Sequence, residues 1–312
     1  MKILILLLLL AGCAPIQPST AYITNQGDNT VSVIDIAQAK VISTVKVGKA
    51  PVGVAVSRKL KRAFITNVES SNVSVIDTAS NKVVETIKLQ GGPVGIAMAP
   101  NDKILYVADW YSDRIIAINT ANYEDRREVI VATAPAGLVV SPDSKTLYVA
   151  ARDSNEIAVI DTATMSVTKR IAVGTHPFGV SLSNDGNALY VVNVFENTVS
   201  IVNTKTWAQT KLKVGEHPYC AVASPDNKTL YVSNTQDDTV SIIDLSTQKI
   251  IATIEVGMTP EGISYDAVSK LVLVSIWGEN RVSVIDATTN KLKGHIKTGD
   301  KSRAFGQFIL NN

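Results

Sequence analysis

The sequence is poor in cysteine, histidine, aromatic residues and net charge. Its 312 residues include two cysteines, three histidines and 5% aromatic residues. So few cysteines exclude a disulfide-built scaffold, and a chain of this length is long enough to fold around a large packed core instead. Thirty Lys and Arg nearly balance twenty-eight Asp and Glu, which excludes a strong general attraction to nucleic acid or to an anionic surface.

Long hydrophobic segments are also missing, apart from one short run near the start of the chain. Residues 3–10 are eight consecutive apolar residues after Met1 and Lys2, far fewer than the ~20 that a membrane-spanning helix needs. The run is typical of the core of a signal peptide. The LAGC sequence ending at Cys13 resembles a lipobox, the processing signal of bacterial lipoproteins. The resemblance implies cleavage before Cys13 and a diacylglycerol group on its thiol, and the alternative is an ordinary secretory signal.

Lipidation of Cys13 would leave Cys220 as the only thiol, so no intrachain disulfide would be possible. Residues 14–20 contain two prolines and no periodicity, and such a segment reaches at most about 25 Å. We therefore expect a signal peptide (residues 1–12), a lipidated Cys with its tether (13–20) and a folded domain (21–312) held close to the membrane. The protein would be extracytoplasmic and lipid-anchored to the cell envelope, on the periplasmic side of the outer or inner membrane in a Gram-negative cell.

A phrase that recurs seven times organises the rest of the chain. One copy is TLYVSNTQDDTVSIID, residues 229–244, in which apolar and β-branched residues flank a polar break. This pattern predicts strand, short loop, strand. The seven copies end at intervals of 41 or 42 residues, at Asp35, Asp77, Asn119, Asp161, Asn203, Asp244 and Asp286. A fixed period of this length, with strand signals and no helical pattern, predicts a repeated β architecture.

Each period contains four strand candidates, here named A to D in chain order. In the fifth copy they are Phe178–Ser183, Ala188–Asn193, Thr198–Asn203 and Ala208–Val214. Strands apolar on both faces suit a blade packed between two neighbours. The first copy begins at strand B, and residues 303–309 fall where an eighth strand A would lie. We therefore predict an all-β fold, a seven-bladed β-propeller of four-stranded antiparallel blades whose C-terminal strand completes blade 1.

The motif LYV(S/A/T)N…(T)VS(V/I)ID, followed by a Gly-x-x-Pro-x-Gly turn, resembles the repeat of the YVTN family of seven-bladed β-propellers. The resemblance covers residues 21–309, nearly the whole mature chain. It implies an extracytoplasmic protein that serves as a binding or scaffold module, because few members of this family have an assigned reaction. A propeller fold by itself does not define a function.

The order of the strands assigns the loops to two faces of the propeller. The D–A crossings and B–C loops share one face, here called the top face, and the A–B and C–D turns share the bottom face. The bottom turns are short and repetitive, such as SPDSK at residues 141–145, whereas the top loops vary. Variable loops on a rigid scaffold are where binding usually occurs. Glycine two residues after the crossing proline is expected because seven inner strands crowd the axis; Cys220 and Ala304 replace it in two crossings.

Side chains beside the crossing prolines divide the predicted channel mouth into two arcs. The crossings at Pro51, Pro93 and Pro135 offer only small side chains. The other crossings and several B–C loops offer rings and charges, and these form the predicted ligand or partner site: His176, Phe178, His217, Tyr219, Glu261, Lys301, Arg303, Trp110, Tyr111, Arg152, Phe195 and Trp277. Structural roles remain open for them, namely histidine bonded to a carbonyl, a plain Glu261–Arg303 ion pair and aromatic caps on blade ends.

The leading interpretation is a monomeric, non-enzymatic, membrane-tethered module that binds an envelope protein or a small ligand at this mouth. Nothing in the repeat marks a nucleophile–base pair, so we do not expect an enzyme. A second interpretation is copper or zinc binding by His176, His217 and Cys220, which offer nitrogen and sulfur donors.

Two further interpretations remain open. Some seven-bladed propellers are lactonases or lyases with acids and histidines around the channel, and Glu216, Glu261 and two histidines are the inventory available here. Single-stranded nucleic acid would require stacking on Trp110 and Trp277 beside arginine cations. The balanced net charge argues against nucleic acid as a partner.

Overall fold

The computed structural model describes residues 19–311, so the predicted signal peptide and Cys13 lie outside the described residues. Seven four-stranded antiparallel blades form the propeller, and the inner strand of each blade contacts the inner strand of the next. The predicted all-β, seven-bladed fold is confirmed. Between Ala151 and Asn155 a single 3-10 turn, Arg152–Ser154, interrupts the strand pattern. No helix within residues 19–311 is long and apolar enough to cross a membrane.

The strands are numbered in chain order. Blades 1 and 2 contain β1 (Thr20–Asn25), β2 (Thr30–Asp35), β3 (Lys40–Lys46), β4 (Pro51–Ser57), β5 (Arg62–Asn67), β6 (Asn72–Asp77) and β7 (Lys82–Lys88). Blades 3 and 4 contain β8 (Pro93–Met98), β9 (Ile104–Asp109), β10 (Arg114–Asn119), β11 (Arg126–Ile130), β12 (Pro135–Val140), β13 (Thr146–Ala151), β14 (Glu156–Asp161) and β15 (Ser166–Ala172). Blades 5 and 6 contain β16 (Pro177–Leu182), β17 (Ala188–Asn193), β18 (Thr198–Asn203), β19 (Gln209–Lys213), β20 (Pro218–Ala223), β21 (Thr229–Asn234), β22 (Thr239–Asp244) and β23 (Lys249–Glu255). Blade 7 contains β24 (Pro260–Asp266), β25 (Leu271–Ile276), β26 (Arg281–Asp286) and β27 (Lys291–Lys297), and the chain ends with β28 (Phe305–Gln307) and β29 (Ile309–Leu310).

The asparagine that ends strand B holds three parts of a blade together. In blade 5, Asn193 Nδ2 donates to the hydroxyls of Thr198 at 2.9 Å and Ser200 at 3.0 Å on strand C. Its Oδ1 accepts from the backbone N–H of Gly174 at 3.0 Å, in the crossing that leads into the same blade. A Cβ on Gly174 would strike the Asn193 side chain. The repeated Asn, Thr, Ser and Gly are therefore one hydrogen-bonded unit, whose buried polar groups require such partners.

The glycine after the crossing proline is required by the approach of neighbouring blades. A Cβ on Gly137 would collide with the carbonyl oxygen of Phe178 on the next inner strand, and a Cβ on Gly179 would collide with that of Tyr219. The other crossing glycines meet the next strand in the same way, at Gly53, Gly95 and Gly262. The crowding inferred from the sequence is thus confirmed at these five crossings, where a Cβ would overlap the backbone of the next inner strand.

The C-terminal segment closes the ring, but it does so in two pieces. Ile309 and Leu310 of β29 pair with β1 and complete blade 1 as predicted, and Ser302 bridges Asn25. Six residues (303–308) lie between Ser302 and Ile309. Only four (136–139) lie between Pro135 and Val140, which are the equivalent residues of blade 4. The two extra residues form a bulge whose strand β28 pairs in parallel with β4 of blade 2. The predicted continuous inner strand is therefore split, and part of it projects into the channel.

Candidate functional site

The D–A crossings present side chains from a constrained backbone. His176 and His217 have φ of 52° and 50°, and Lys301 has φ of 55°, in the left-handed region that non-glycine residues seldom occupy. The backbone N–H of His217 donates to Asn197 Oδ1 at 3.0 Å, and its carbonyl accepts from the Thr235 N–H at 3.0 Å. These bonds join the crossing to B–C loops on the top face. Crossing and loop side chains therefore meet there, as the strand order predicts.

Five of the predicted site residues form a continuous cluster, which we call the stacked array: Trp110, Arg152, His176, Phe195 and His217. Phe195 lies at its centre, with ring centroids 4.2 Å from His176 and 5.5 Å from His217. The Arg152 guanidinium carbon lies 5.8 Å from the Phe195 centroid and 5.5 Å from that of Trp110. A cation between two rings is attracted by both π faces. Phe195 is nevertheless 54% exposed.

The two histidines and Cys220 are not brought together as a metal site. The Phe195 ring contacts both histidine rings, and residues 19–311 contain no group of three His, Cys, Asp or Glu side chains that could hold a metal ion. Burial raises the pKa of the Cys220 thiol well above its usual range, which disfavours the thiolate that metals bind. The described structure therefore does not bring His176, His217 and Cys220 close enough together to bind one copper or zinc ion.

Glu261, Arg303 and Tyr219 form a second cluster below the mouth. Arg303 Nε lies 2.7 Å from Glu261 Oε2 and donates to the Tyr219 hydroxyl at 3.1 Å. Glu261 is 6% exposed. Loss of hydration on burial raises the pKa of its carboxyl, and the Arg303 charge opposes that rise. Burial likewise raises the pKa of Tyr219 well above its usual range. Glu261 is thus bound in an ion pair and its charge is not free at the surface.

Gln26 connects the second cluster to the top face. Its Oε1 accepts from Trp277 Nε1 and from Arg303 Nη1, each at 3.4 Å. Lys301 Nζ lies 5.4 Å from the Trp277 ring centroid. Gln26 is absent from the predicted site, although the repeat register places it directly after the strand-B asparagine, at the position equivalent to Trp277. Its position in the repeat is therefore the sequence feature from which Gln26 could have been predicted.

An aromatic layer closes the channel beneath the mouth. The Phe178 centroid lies 4.6 Å from that of Tyr219, 4.9 Å from Phe305 and 6.0 Å from Trp110. Phe178, Tyr219 and Phe305 are all buried. Phe178 and Tyr219 are therefore the floor of the predicted mouth and do not project from it. Phe305 is a third member that sequence reasoning missed, because the bulge that carries it has no counterpart in the other six blades.

Tyr111 lies apart from the clusters. Its ring covers Gly92, where an added Cβ would strike it, and the side chain is 74% exposed. The twelve predicted residues therefore fall into four groups. They are the stacked array, which is half-buried except for the exposed Phe195, the buried floor, the Glu261 ion pair with its Trp277 and Lys301 neighbours, and the separate Tyr111.

Two family models match parts of the chain. The family described as YNCE-like beta-propeller matches residues 181–287, and the family described as Lactonase, 7-bladed beta-propeller, matches residues 91–213. Each match covers less than half of the chain, and together they support membership of a β-propeller family. A search of curated proteins gave no match.

Solved structures share the fold at low sequence identity. A chain of Kuenenia stuttgartiensis hydrazine synthase is similar with a TM-score of 0.79 and 22% identity, over 90% of this chain and 99% of that one. A functionally unknown protein from Desulfotomaculum acetoxidans DSM 771 gives a TM-score of 0.78 and 15% identity, over 92% and 99%. Similarity at these identities concerns the fold and does not extend to the reaction or the ligand.

Proposed function

We propose that the protein is a non-enzymatic β-propeller binding module, tethered to the cell envelope through a lipid on Cys13, whose stacked array holds a protein partner or a small ligand. The observation that supports this proposal is that the Phe195 ring is half-exposed at the centre of the stacked array. Exposed aromatic rings beside arginine are the residues that most often dominate binding energy at interfaces.

Contacts within the chain hold the loop that carries Phe195. The next residue, Glu196, accepts a hydrogen bond from the Thr175 N–H at 3.2 Å and pairs with Lys211 Nζ at 3.0 Å. The phenyl ring is also held between two histidine rings. Binding would therefore immobilise few additional side chains, which lowers its entropic cost.

The chemistry of the array indicates what it would recognise. The rings provide flat apolar contact area. The Arg152 guanidinium pairs with Asp153 through Nη1 at 2.7 Å, and its remaining N–H groups are donors that a ligand oxygen can accept. The Nδ1 atoms of His176 and His217 are buried without hydrogen-bond partners among the described residues, so the part of each imidazole that can meet a ligand is its ring face or its Nε2 edge. The matching occupant is a flat or apolar group that carries a carboxylate or carbonyl oxygen.

The test is binding to partners recovered from the native envelope, followed by titration of each identified partner with purified protein. Replacing Phe195 and Arg152 together by Ala should weaken binding by about 2 kcal/mol or more, roughly thirtyfold. The matched control is Lys145→Ala with Lys228→Ala on exposed bottom turns, which should bind as wild type does. Wild-type affinity in the array variant, together with loss of binding in the control, would show that the partner binds the bottom face instead.

A lactonase-type enzyme is the second candidate, because that family matches residues 91–213. Within this range His176 Nε2 lies 4.0 Å from Asp153 Oδ1, which is longer than a hydrogen bond, and that oxygen already accepts from Arg152 Nη1 at 2.7 Å. The pair would have to close by about 1 Å before Asp153 could orient His176 as a base. Lactone hydrolysis that disappears in His176→Gln would support this reading. An absence of hydrolysis across a lactone panel would leave the binding module as the better account.

The proposed tether is tested separately from the binding site. Cys13→Ala removes the acceptor for the lipid, so the protein should leave the membrane fraction or remain unprocessed. Fractionation and mass spectrometry of the mature N-terminus measure this directly. Recovery of the wild-type protein without lipid, cleaved at another site, would refute the lipoprotein assignment and leave the binding proposal intact.

A further inference from the structure

A cavity of about 570 Å³ occupies the lower part of the channel, on the opposite side of the aromatic layer from the stacked array. The inner strands of blades 2 to 7 and strand β28 line it. Phe305 and Cys220 lie at its upper end, and Pro100, Asn184 and Pro225 of the bottom turns lie at its mouth. A central channel is a general feature of β-propellers, so the distinguishing feature of this cavity is what lines it.

The lining has one distinctive chemical property. It contains no Asp, Glu, Lys, Arg or His, although charged residues surround the top mouth. Most of the lining residues are Ala, Val, Ile, Leu, Met, Gly and Pro. Neutral polar residues interrupt this surface, among them Asn184, Ser264 and Gln307. An apolar pocket with a small number of polar groups is the usual composition of a small-molecule site.

Gly306 in β28 helps to keep this space open. Its φ is 110°, a conformation that favours glycine, and an added Cβ would lie 2.6 Å from the Val54 carbonyl oxygen. The absence of a side chain lets β28 lie against β4 at one side of the channel. Gly306 and Gln307 remain exposed toward the cavity that they line.

We infer that this lower cavity binds a neutral, mainly apolar small molecule. Its volume equals that of about nineteen water molecules at roughly 30 Å³ each, so a ligand of about twenty non-hydrogen atoms would fill it. A charged group that entered would lose part of its hydration and meet no counter-ion among these lining residues, which favours a neutral ligand. The site is separate from the stacked array and does not depend on it.

The probe for this site is N-phenyl-1-naphthylamine, a neutral aromatic dye that fluoresces in apolar surroundings, titrated against the full chain. We expect saturable one-to-one binding. Ala223→Leu adds a larger side chain to the lining and should weaken binding at least tenfold. Ser166→Leu, the same kind of change on the exposed outer strand of blade 4, should leave the affinity unchanged. The Phe195→Ala, Arg152→Ala double variant should also bind normally, which separates this site from the top-face proposal.

Two further measurements do not depend on those variants. The sulfonate dye 8-anilino-1-naphthalenesulfonate has the same ring skeleton plus a negative charge, and it should bind at least tenfold more weakly. Saturating neutral dye should slow amide hydrogen exchange at Gly306 and Gln307. Non-saturable binding, equal affinity for the two dyes, or unchanged exchange at these two residues would overturn the proposal.

Discussion

Deletion of residues 303–312 should abolish soluble folded protein. The deletion removes β28 and β29, leaves β1 without its inner neighbour and takes the buried rings of Phe305 and Phe308 out of the core. Removing one large buried ring typically costs about 3–5 kcal/mol, and a whole domain has only about 5–15 kcal/mol of stability. The loss of two rings, a strand pairing and the Arg303 ion pair therefore exceeds what the fold can tolerate.

A graded series makes the closure prediction quantitative. Phe308→Ala alone should lower the free energy of unfolding by about 3–5 kcal/mol, because its side chain is fully buried. Removing only Asn311 and Asn312 leaves β29 in place and should change the melting temperature little. Thermal unfolding followed by circular dichroism, with size-exclusion chromatography, measures all three variants. An unchanged melting curve for the long deletion would contradict closure of blade 1 by the C-terminus.

The architecture was predictable because it repeats. Seven copies of one phrase define the blade number, and the glycine that follows five of the six crossing prolines indicates the crowding around the axis. The same reasoning fails at residues 303–308, which occur once. Two extra residues change a regular inner strand into a bulge, and no periodic signal reveals where a single insertion directs the chain. Phe305 was missed for that reason.

The candidate site was predictable in position but not in contacts. Strand order alone places the twelve predicted residues near the top face, because crossings and B–C loops must share it. Whether a ring is exposed or buried depends on rotamers and neighbours. Phe195 projects between two histidines, whereas Phe178 and Tyr219 lie in the floor. The lower cavity could not be predicted from the sequence either. Its volume depends on small lining residues and Gly306, and a repeat pattern identifies strands but not the space between them.

Glu261→Ala should destabilise the protein by about 3 kcal/mol, the lower end of the effect of breaking a buried ion pair. The substitution leaves the Arg303 guanidinium beside Tyr219 without its acid, and Arg303 belongs to the segment that closes the ring. The lower figure applies because part of the Arg303 side chain reaches solvent. Combining Glu261→Leu with Arg303→Met removes both charges, so this double variant should recover much of the loss. A double variant as unstable as Glu261→Ala would show that packing, and not charge, causes the effect.

The pH dependence of stability tests the same pair through Glu261→Gln. Burial raises the pKa of Glu261 in the folded state above its ordinary value of 4.5. At a pH between the unfolded-state pKa and the higher folded-state pKa, Glu261 is protonated in the native protein and ionised in the unfolded chain. The Glu261 contribution to stability is therefore full below pH 4.5 and falls as the pH rises through the folded-state pKa. Denaturant unfolding of wild type and Glu261→Gln from pH 4 to 8 should show this difference decreasing with pH. A difference that increases with pH would mean that the attraction of Arg303 outweighs desolvation and holds the carboxyl ionised.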